Sequence, residues 1–460
     1  MTDSTHDIIV VGGGTAGLVT AAGAAALGAK AALIERTALG GDCLWTGCVP
    51  SKALIAFARR RQVSGTGDWA AGVAWLRAAR DRVAKHDEPE RFRGMGVDVI
   101  LSPARLTGPE RVEVDGRELR ARRIVLALGS VPAVPPIPGL AEAGFLTNVT
   151  CFDRPTLPQR LIMLGGGPIG LELAQTYHRL GTKVTVLELL PEVLPKEDAE
   201  VGKFVRERLV EEGIAIVTGC RAERVAREGD LKVIHATDGR RFGGDEIFVA
   251  TGRQPNTAEA EPERAGVELD RGAVRVNARL ETTAPGIWAA GDVTGGLQFT
   301  HVADYMAKVV VQNALTPLKT KADYRVVPWV TFTDPEVARV GLTAAEAAAR
   351  GRAVETFRAS FTELDRAIVD GVAVGFSKVV TRPNGEILGA TLVGRGAGEL
   401  IMEIVVAMRH RIPLGQLARA IHPYPTMSEI VRQTADAWYR ARYGDTVRGR
   451  MLRRFIRWWL

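Results

Sequence analysis

The sequence predicts an α/β protein made of two parallel-sheet units of one kind, followed by an α+β domain. Three observations carry that prediction. A glycine fingerprint between a strand and a helix occurs twice, and the Pro-rich segment VPAVPPIPGL separates the two copies. From about residue 328 the pattern changes to alternating strand-like runs, such as PWVTFTD and SKVVTR, and then helices. With 460 residues, 46% of them apolar, and 50 glycines, the chain is long enough for roughly two to four domains with sizeable cores.

The first unit opens at DIIVVGGGTAGLVTAAGAAALGAKAALIER, read as a buried strand, an Ala-rich helix and a second strand ending at Glu35. Gly12, Gly14 and Gly17 stand in G-x-G-x-x-G spacing between strand and helix. Glycine there allows a tight turn and close approach of a pyrophosphate to the helix N-terminus, and a carboxylate about 20 residues on binds a ribose hydroxyl. Strand, helix, strand and acid together make a strong dinucleotide fingerprint. The unit recurs in RLIMLGGGPIGLELAQTYHRLGTKVTVLE, with Gly165, Gly167 and Gly170 after a strand and Glu188 closing the next one.

Between the two units lies GGDCLWTGCVPSKALI, residues 40 to 55, which places Cys43 and Cys48 just ahead of a helix start; the other cysteines are Cys151 and Cys220. A bridge closing so short a loop adds little to a chain of this size, so the pair reads as redox chemistry. Pro50 suits the first helical turn. The Cys48 thiol then sits where the positive end of the helix dipole favours thiolate, and Lys52, one turn along, faces the same way. Two dinucleotide sites plus such a pair imply a relay from nicotinamide through a redox-active dinucleotide to sulfur, and a flavin is the cofactor that can do this.

These stretches, with ALGSVPAVPPIPG (127 to 139), ATGRQPN (250 to 256), IWAAGDVTG (287 to 295), PWVTFTDPEVARVGLT (328 to 343) and HPYPTMSE (422 to 429), resemble the class I flavoprotein disulfide reductases over nearly the whole chain. That family includes dihydrolipoamide dehydrogenase, glutathione reductase and mercuric reductase. The resemblance implies two Rossmann-like domains for FAD and NAD(P), and a C-terminal dimerisation domain of a homodimer in which each active site borrows residues from the partner subunit. Residues 1–149 and 273–327 would bind FAD, 150–272 would bind NAD(P), 328–445 would form the dimer interface, and 446–460 a basic amphipathic tail. It further implies that Lys52 lies by the flavin's reactive nitrogen and pairs with Glu172, and that Asp292 bonds the flavin's sugar-alcohol chain. The helix beginning near Thr300 would aim its N-terminus at the flavin ring. Gly41, Gly129 and Gly252, in the matching stretches, join the cofactor-binding set. The cofactors expected are FAD and NAD, with NADP as the alternative. No metal site is assigned.

Departures from the family bear on the acceptor. The usual H-P-T segment with its following acid is here Tyr424-Pro425-Thr426-Met427-Ser428-Glu429, so the acid is present and the imidazole is a phenol. With a reference pKa near 10, against about 6.5 for histidine, tyrosine is a poor base at neutral pH. Losing a matched acid–base catalyst costs about 10² to 10⁴ in rate. His422 shares a face with Tyr424 if the segment is extended; it stands either as a substitute base or as a packed interface histidine. A tyrosine in this place also occurs in mercuric reductases and soluble transhydrogenases, yet the chain has no C-terminal cysteine pair and it keeps Cys48, so it matches neither pattern in full. Asp42 replaces the family's usual threonine and Trp45 its asparagine; each either tunes the cysteine site or packs against the cofactor.

The formal charge is +7, and residues 446 to 460 supply five arginines and no acid, leaving +2 for the rest. Met451, Leu452, Phe455, Ile456 and Trp459 share one helical face, with Arg450, Arg453, Arg454 and Arg457 opposite. This pattern suits either an anionic membrane surface or docking on the protein's own dimer, and no nucleic-acid motif accompanies it. The first strand starts within about seven residues of Met1 and no apolar run reaches the roughly 18 residues of a span, so a cytoplasmic protein, with peripheral attachment at the inner membrane face as an option, is expected. Two functions follow. One is a flavoenzyme passing electrons from NAD(P)H through FAD and the Cys43–Cys48 pair to a disulfide, metal ion or quinone-like small-molecule acceptor. The other is a binding subunit derived from dihydrolipoamide dehydrogenase, recruited to a membrane or complex, with incidental diaphorase activity.

Overall fold

In the computed structural model, which describes residues 5–65 and 68–460, Ile8–Val11 is the central strand of a five-stranded sheet. The order is Ile287–Ala289, Ile124–Leu126, Ile8–Val11, Ala31–Glu35, Asp98–Leu101, and every pairing is parallel. All four residues of Ile8–Val11 are buried, which is why the run is continuously apolar rather than alternating. Ile287–Ala289 completes this sheet only after the chain has built a second one. That sheet, also parallel, runs Ala215–Val217, Lys183–Leu187, Arg160–Leu164, Glu246–Val249. Each central strand leads through its glycine turn into a helix, Thr15–Ala26 in the first case and Pro168–Arg179 in the second. Pro168 sits at the helix start, where a missing N–H costs nothing. Ser130–Pro132 and Arg253–Pro255 pair antiparallel, linking the chain entering the second sheet to the chain leaving it.

Both sheets belong to one compact unit, the chain up to Leu189 with Ile214–Ala322; Leu190–Gly213 and Asp323–Leu460 form another. The second unit is built on a five-stranded antiparallel sheet, Pro328–Thr331, Glu336–Gly341, Ile387–Gly394, Phe376–Thr381, Glu355–Ser360. Helix Ala397–Arg409 packs on it, with Ile401 and Ile404 buried beside Leu392 and Phe361. Helix Ala199–Glu212 groups with this unit through Lys378 to Asp198 at 2.8 Å, Arg358 to Glu200 at 2.9 Å and an edge-on Phe204–Phe376 contact. The architecture is thus mixed α/β with two Rossmann-like parallel sheets and a C-terminal α+β part, as expected. Among the described residues no helix is long and apolar enough to cross a membrane.

Candidate functional site

The two glycine turns divide their labour in the same way. At Gly12 (φ +108°) a Cβ would lie 2.2 Å from the Ala127 carbonyl oxygen, and at Gly17 one would lie 1.8 Å from the Gly12 oxygen. Gly165 and Gly170 repeat this against Ala250 at 2.4 Å and Gly165 at 2.1 Å. These four are glycine because backbone meets backbone. The middle positions differ: nothing lies within 4 Å of a Cβ at Gly167, and at Gly14 the nearest atom is the Gly41 Cα at 3.8 Å. Open space beside a helix N-terminus is where a pyrophosphate needs close approach, so both turns fit a dinucleotide. Gly41 (φ +60°) backs the first turn, since a Cβ there would strike the Gly14 Cα at 2.6 Å. Gly129 and Gly252 are left-handed with open space beside them. An acid at or just past the end of each second strand is tied back to its turn: Glu35 accepts from the Gly13 amide at 2.7 Å, Glu188 from the Gly166 amide at 2.6 Å.

The cysteines sit at a junction of helices. Cys43 lies in the single turn Gly41–Trp45, and Cys48 is the first residue of helix Cys48–Ser64. The Cys48 sulfur is 3.5 Å from the Thr300 hydroxyl, and Thr300 begins helix Thr300–Leu315, so two helix N-termini converge on it. The Cys48 thiol is pulled down to about 6, first by a hydrogen bond from the Cys43 thiol, then by the Thr300 hydroxyl and the Lys52 charge; burial and the Asp42 carboxylate oppose this. Cys43 is pushed up by the same hydrogen bond and by burial. One sulfur is therefore poised as thiolate and its neighbour holds the proton. Lys52, one turn along, bonds Glu172 at 2.7 Å, and Glu172 is buried in helix Pro168–Arg179 of the second sheet. Cys151 and Cys220 are buried elsewhere.

Around the pair runs a network that joins Asp42 and Asp292 through Arg253 and Ser130, two residues that sequence reasoning missed. Arg253 reaches the Asp42 carboxylate at 3.0 Å and the Ser130 hydroxyl at 2.7 Å, and Ser130 donates to Asp292 at 2.6 Å. Burial pushes the Asp292 carboxyl up against the opposing pull of Ser130 and Arg253. Asp42 also accepts from the Thr46 hydroxyl at 2.5 Å and from Asn148 at 3.1 Å. The Asp42 carboxylate, next to Cys43 in the chain, opposes ionisation of Cys48. Trp45 is packed, its indole donating to the Leu39 carbonyl at 2.8 Å and its ring lying 5.5 Å from the Arg80 guanidinium. The only hint of Arg253 in the sequence was its place inside ATGRQPN.

In the second unit the remaining candidates do not converge. Tyr424 is 71% exposed and donates to Asp365 at 3.1 Å, which holds its phenol above the usual tyrosine range. His422 faces the Ala420 carbonyl through Nδ1 at 3.1 Å and the Glu403 carboxylate through Nε2 at 3.1 Å. Both ring nitrogens thus meet acceptors. Glu429 is buried at the start of helix Glu429–Tyr443 and is bonded by Arg432 at 2.8 Å.

Comparison with known proteins agrees with this construction. The family model described as pyridine nucleotide-disulphide oxidoreductase matches residues 6–307, and the model of its dimerisation domain matches residues 327–435. The chain is 36% identical over 455 residues to a dihydrolipoyl dehydrogenase of Thermus scotoductus, covering 95% of this chain and 98% of that one. It is 34% identical over 450 residues to a mercuric reductase of Staphylococcus aureus, covering 94% and 82%. Among solved structures, the HOCl-induced flavoprotein disulfide reductase RclA from Escherichia coli superposes with a TM-score of 0.87 at 30% identity, covering 94% of this chain and 99% of that one.

Proposed function

From the premise that the chain belongs to the pyridine nucleotide-disulphide oxidoreductases, FAD- and NAD(P)H-using enzymes with a redox disulfide, we propose an NADH oxidoreductase whose preferred acceptor is quinone-like rather than a disulfide. FAD, when bound, supplies the two-electron link between nicotinamide and sulfur. The chain's own residues then do the following. Gly14 and Gly41 admit the FAD pyrophosphate, Gly167 that of the nicotinamide nucleotide, and Glu35 and Glu188 take the ribose hydroxyls. Asp292, oriented by Ser130, holds the sugar-alcohol chain. Lys52 and the Thr300 helix stabilise negative charge beside Cys48. Cys48 is the flavin-side sulfur and Cys43 the outer one, which must give up its proton when it attacks a disulfide.

That proton carries the acceptor assignment. In a homodimer of this family the partner subunit would present position 424 to Cys43, and the group there is a phenol, already donating to Asp365 and held above its ordinary range. It cannot act as a base near pH 7. His422 is a poor replacement, because its Nε2 is engaged by the Glu403 carboxylate and its Nδ1 by the Ala420 carbonyl of its own loop. Reduction of a quinone, or of a metal ion, draws on reduced flavin or the dithiol without that shuttle. A catalytic role, in the cytoplasm where NADH is supplied, is favoured over a purely recruited subunit because both cysteines, the Cys48–Thr300 contact and the Lys52–Glu172 pair are present. The deciding experiment is a steady-state comparison of the FAD-loaded protein with NADH and NADPH against a quinone, Hg(II), lipoamide and glutathione disulfide. Disulfide turnover exceeding quinone turnover would reject the assignment.

A further inference from the structure

The helix Val447–Trp459 stands apart from the core that precedes it. Within this helix only Gly449 is buried, and its place is fixed by contact: a Cβ there would lie 2.1 Å from the Gly444 carbonyl oxygen and 2.3 Å from that of Tyr443. Thr446 caps the helix by accepting from the Gly449 amide at 3.1 Å, and Arg453 donates back to the Gly444 carbonyl at 2.9 Å. The first turn is therefore seated on the end of helix Glu429–Tyr443. Beyond it Met451, Phe455, Trp458 and Trp459 are 54–77% exposed, and Leu452 and Ile456 are exposed as well. Phe455 contacts both tryptophans, at ring separations of 5.9 and 6.2 Å.

At 3.6 residues per turn these apolar side chains and Val447 occupy about half of the circumference, with Arg448 of the first turn among them, and Arg450, Arg453, Arg454 and Arg457 fill the other side. A helix of this length is marginal in water without tertiary support, so its apolar face calls for a partner. A helix–helix seam uses a narrow stripe, whereas a broad apolar arc ending in paired tryptophans, broken only by Arg448 in its first turn and opposite an arc of four arginines, matches a helix lying in the headgroup plane. We infer that Val447–Trp459 docks this protein on an anionic lipid bilayer, arginines at the phosphates and Phe455, Trp458 and Trp459 in the acyl boundary. The inference rests on the tail alone and is independent of which acceptor the cysteine site serves.

The test is flotation of the full-length, FAD-loaded protein with vesicles of phosphatidylcholine containing about 30% phosphatidylglycerol, beside pure phosphatidylcholine, with the ionic strength raised from about 0.1 to 0.5 M. Partition to the anionic vesicles should exceed that to neutral ones at least tenfold, fall with salt, and drop about fivefold for each of Arg454→Gln and Arg457→Gln. Phe455→Ala with Trp459→Ala should abolish it while flavin content and turnover of a soluble quinone stay unchanged. No partition, or equal partition to neutral vesicles, overturns the inference. So does a chain ended after Gly444 whose dimer dissociates in sedimentation velocity while the full chain ignores vesicles, because the helix would then be covering its own assembly. Preferential retention on RNA with no vesicle binding overturns it equally.

Discussion

Removing the Cys43 thiol while leaving Cys48 in place should move the pH at which the Cys48 thiolate forms. In the structure Cys48 is held at about 6 against a reference of 9.0, and the largest cause is the hydrogen bond from Cys43. A hydrogen bond to a charged acceptor is worth about 1.5–3 kcal/mol, and S–H is a weak donor, so the low end applies. At about 1.4 kcal/mol per pH unit, Cys43→Ala should raise the midpoint by roughly one unit. Cys43→Ser keeps a donor and should leave it within a few tenths. Asp42→Asn removes an opposing charge and should shift it the other way. A thiolate beside flavin gives a long-wavelength charge-transfer band, so the readout is that band in the FAD-loaded variants, titrated from pH 4 to 9. Because the folded value is depressed, the band is present above the midpoint and lost as pH falls through it. Wild-type protein, reduced by two electrons, should lose it near pH 6, and Cys48→Ser should never show it. An unmoved or lowered midpoint in Cys43→Ala, or an upward shift in Asp42→Asn, would refute the assignment of thiolate and donor.

Tyr424→His should restore a base and raise lipoamide or glutathione-disulfide turnover by about 10² or more, with little change for a quinone; equal gains for both acceptors would show that the phenol is not the limiting group. His422→Ala should leave both activities nearly unchanged, and loss of disulfide turnover alone would identify His422 as the base. NADH should be preferred over NADPH by kcat/KM, and Glu188→Ala should narrow that preference about 10- to 100-fold, the value of a charged hydrogen bond; a wild-type preference for NADPH would overturn the role given to Glu188. Lys52→Met should lower stability by about 1–3 kcal/mol in denaturant titration, less than the 3–5 of a fully buried pair because Lys52 is about one-third exposed, and Lys52→Met with Glu172→Leu should recover most of it. Failure of the double variant to recover would mean that Lys52 contributes through something other than Glu172.

The strand–turn–helix–strand core of each parallel sheet, with its glycine turn, and the helix that begins with Cys48 were legible in the sequence, because each depends on neighbours within about 30 residues. Strand burial shows as an unbroken apolar run, a tight turn as glycine, and a ribose acid as a carboxylate at the end of the next strand. The two helix starts at Cys48 and Thr300 are local features too, although their meeting at one sulfur is not. The tail's amphipathic pattern was likewise written in its periodicity. Its exposure was not, since only the packing of Gly449 on Gly444 reveals where contact with the core stops.

Tertiary structure alone decided the partners of the charged and polar groups. Arg253 finds Asp42 from more than two hundred positions away, Ser130 finds Asp292, Tyr424 finds Asp365 and His422 finds Glu403. No periodicity encodes such pairs, because a side-chain hydrogen bond depends on which loops the fold brings within about 3 Å, and one residue of sequence distance says nothing about that. The same reason explains Asp42: its adjacency to Cys43 is written in the chain, whereas the bearing of its charge on Cys48 comes from the fold. Cofactor class was therefore fixed by local sequence, while the proton inventory around the sulfurs was fixed by contacts between distant segments.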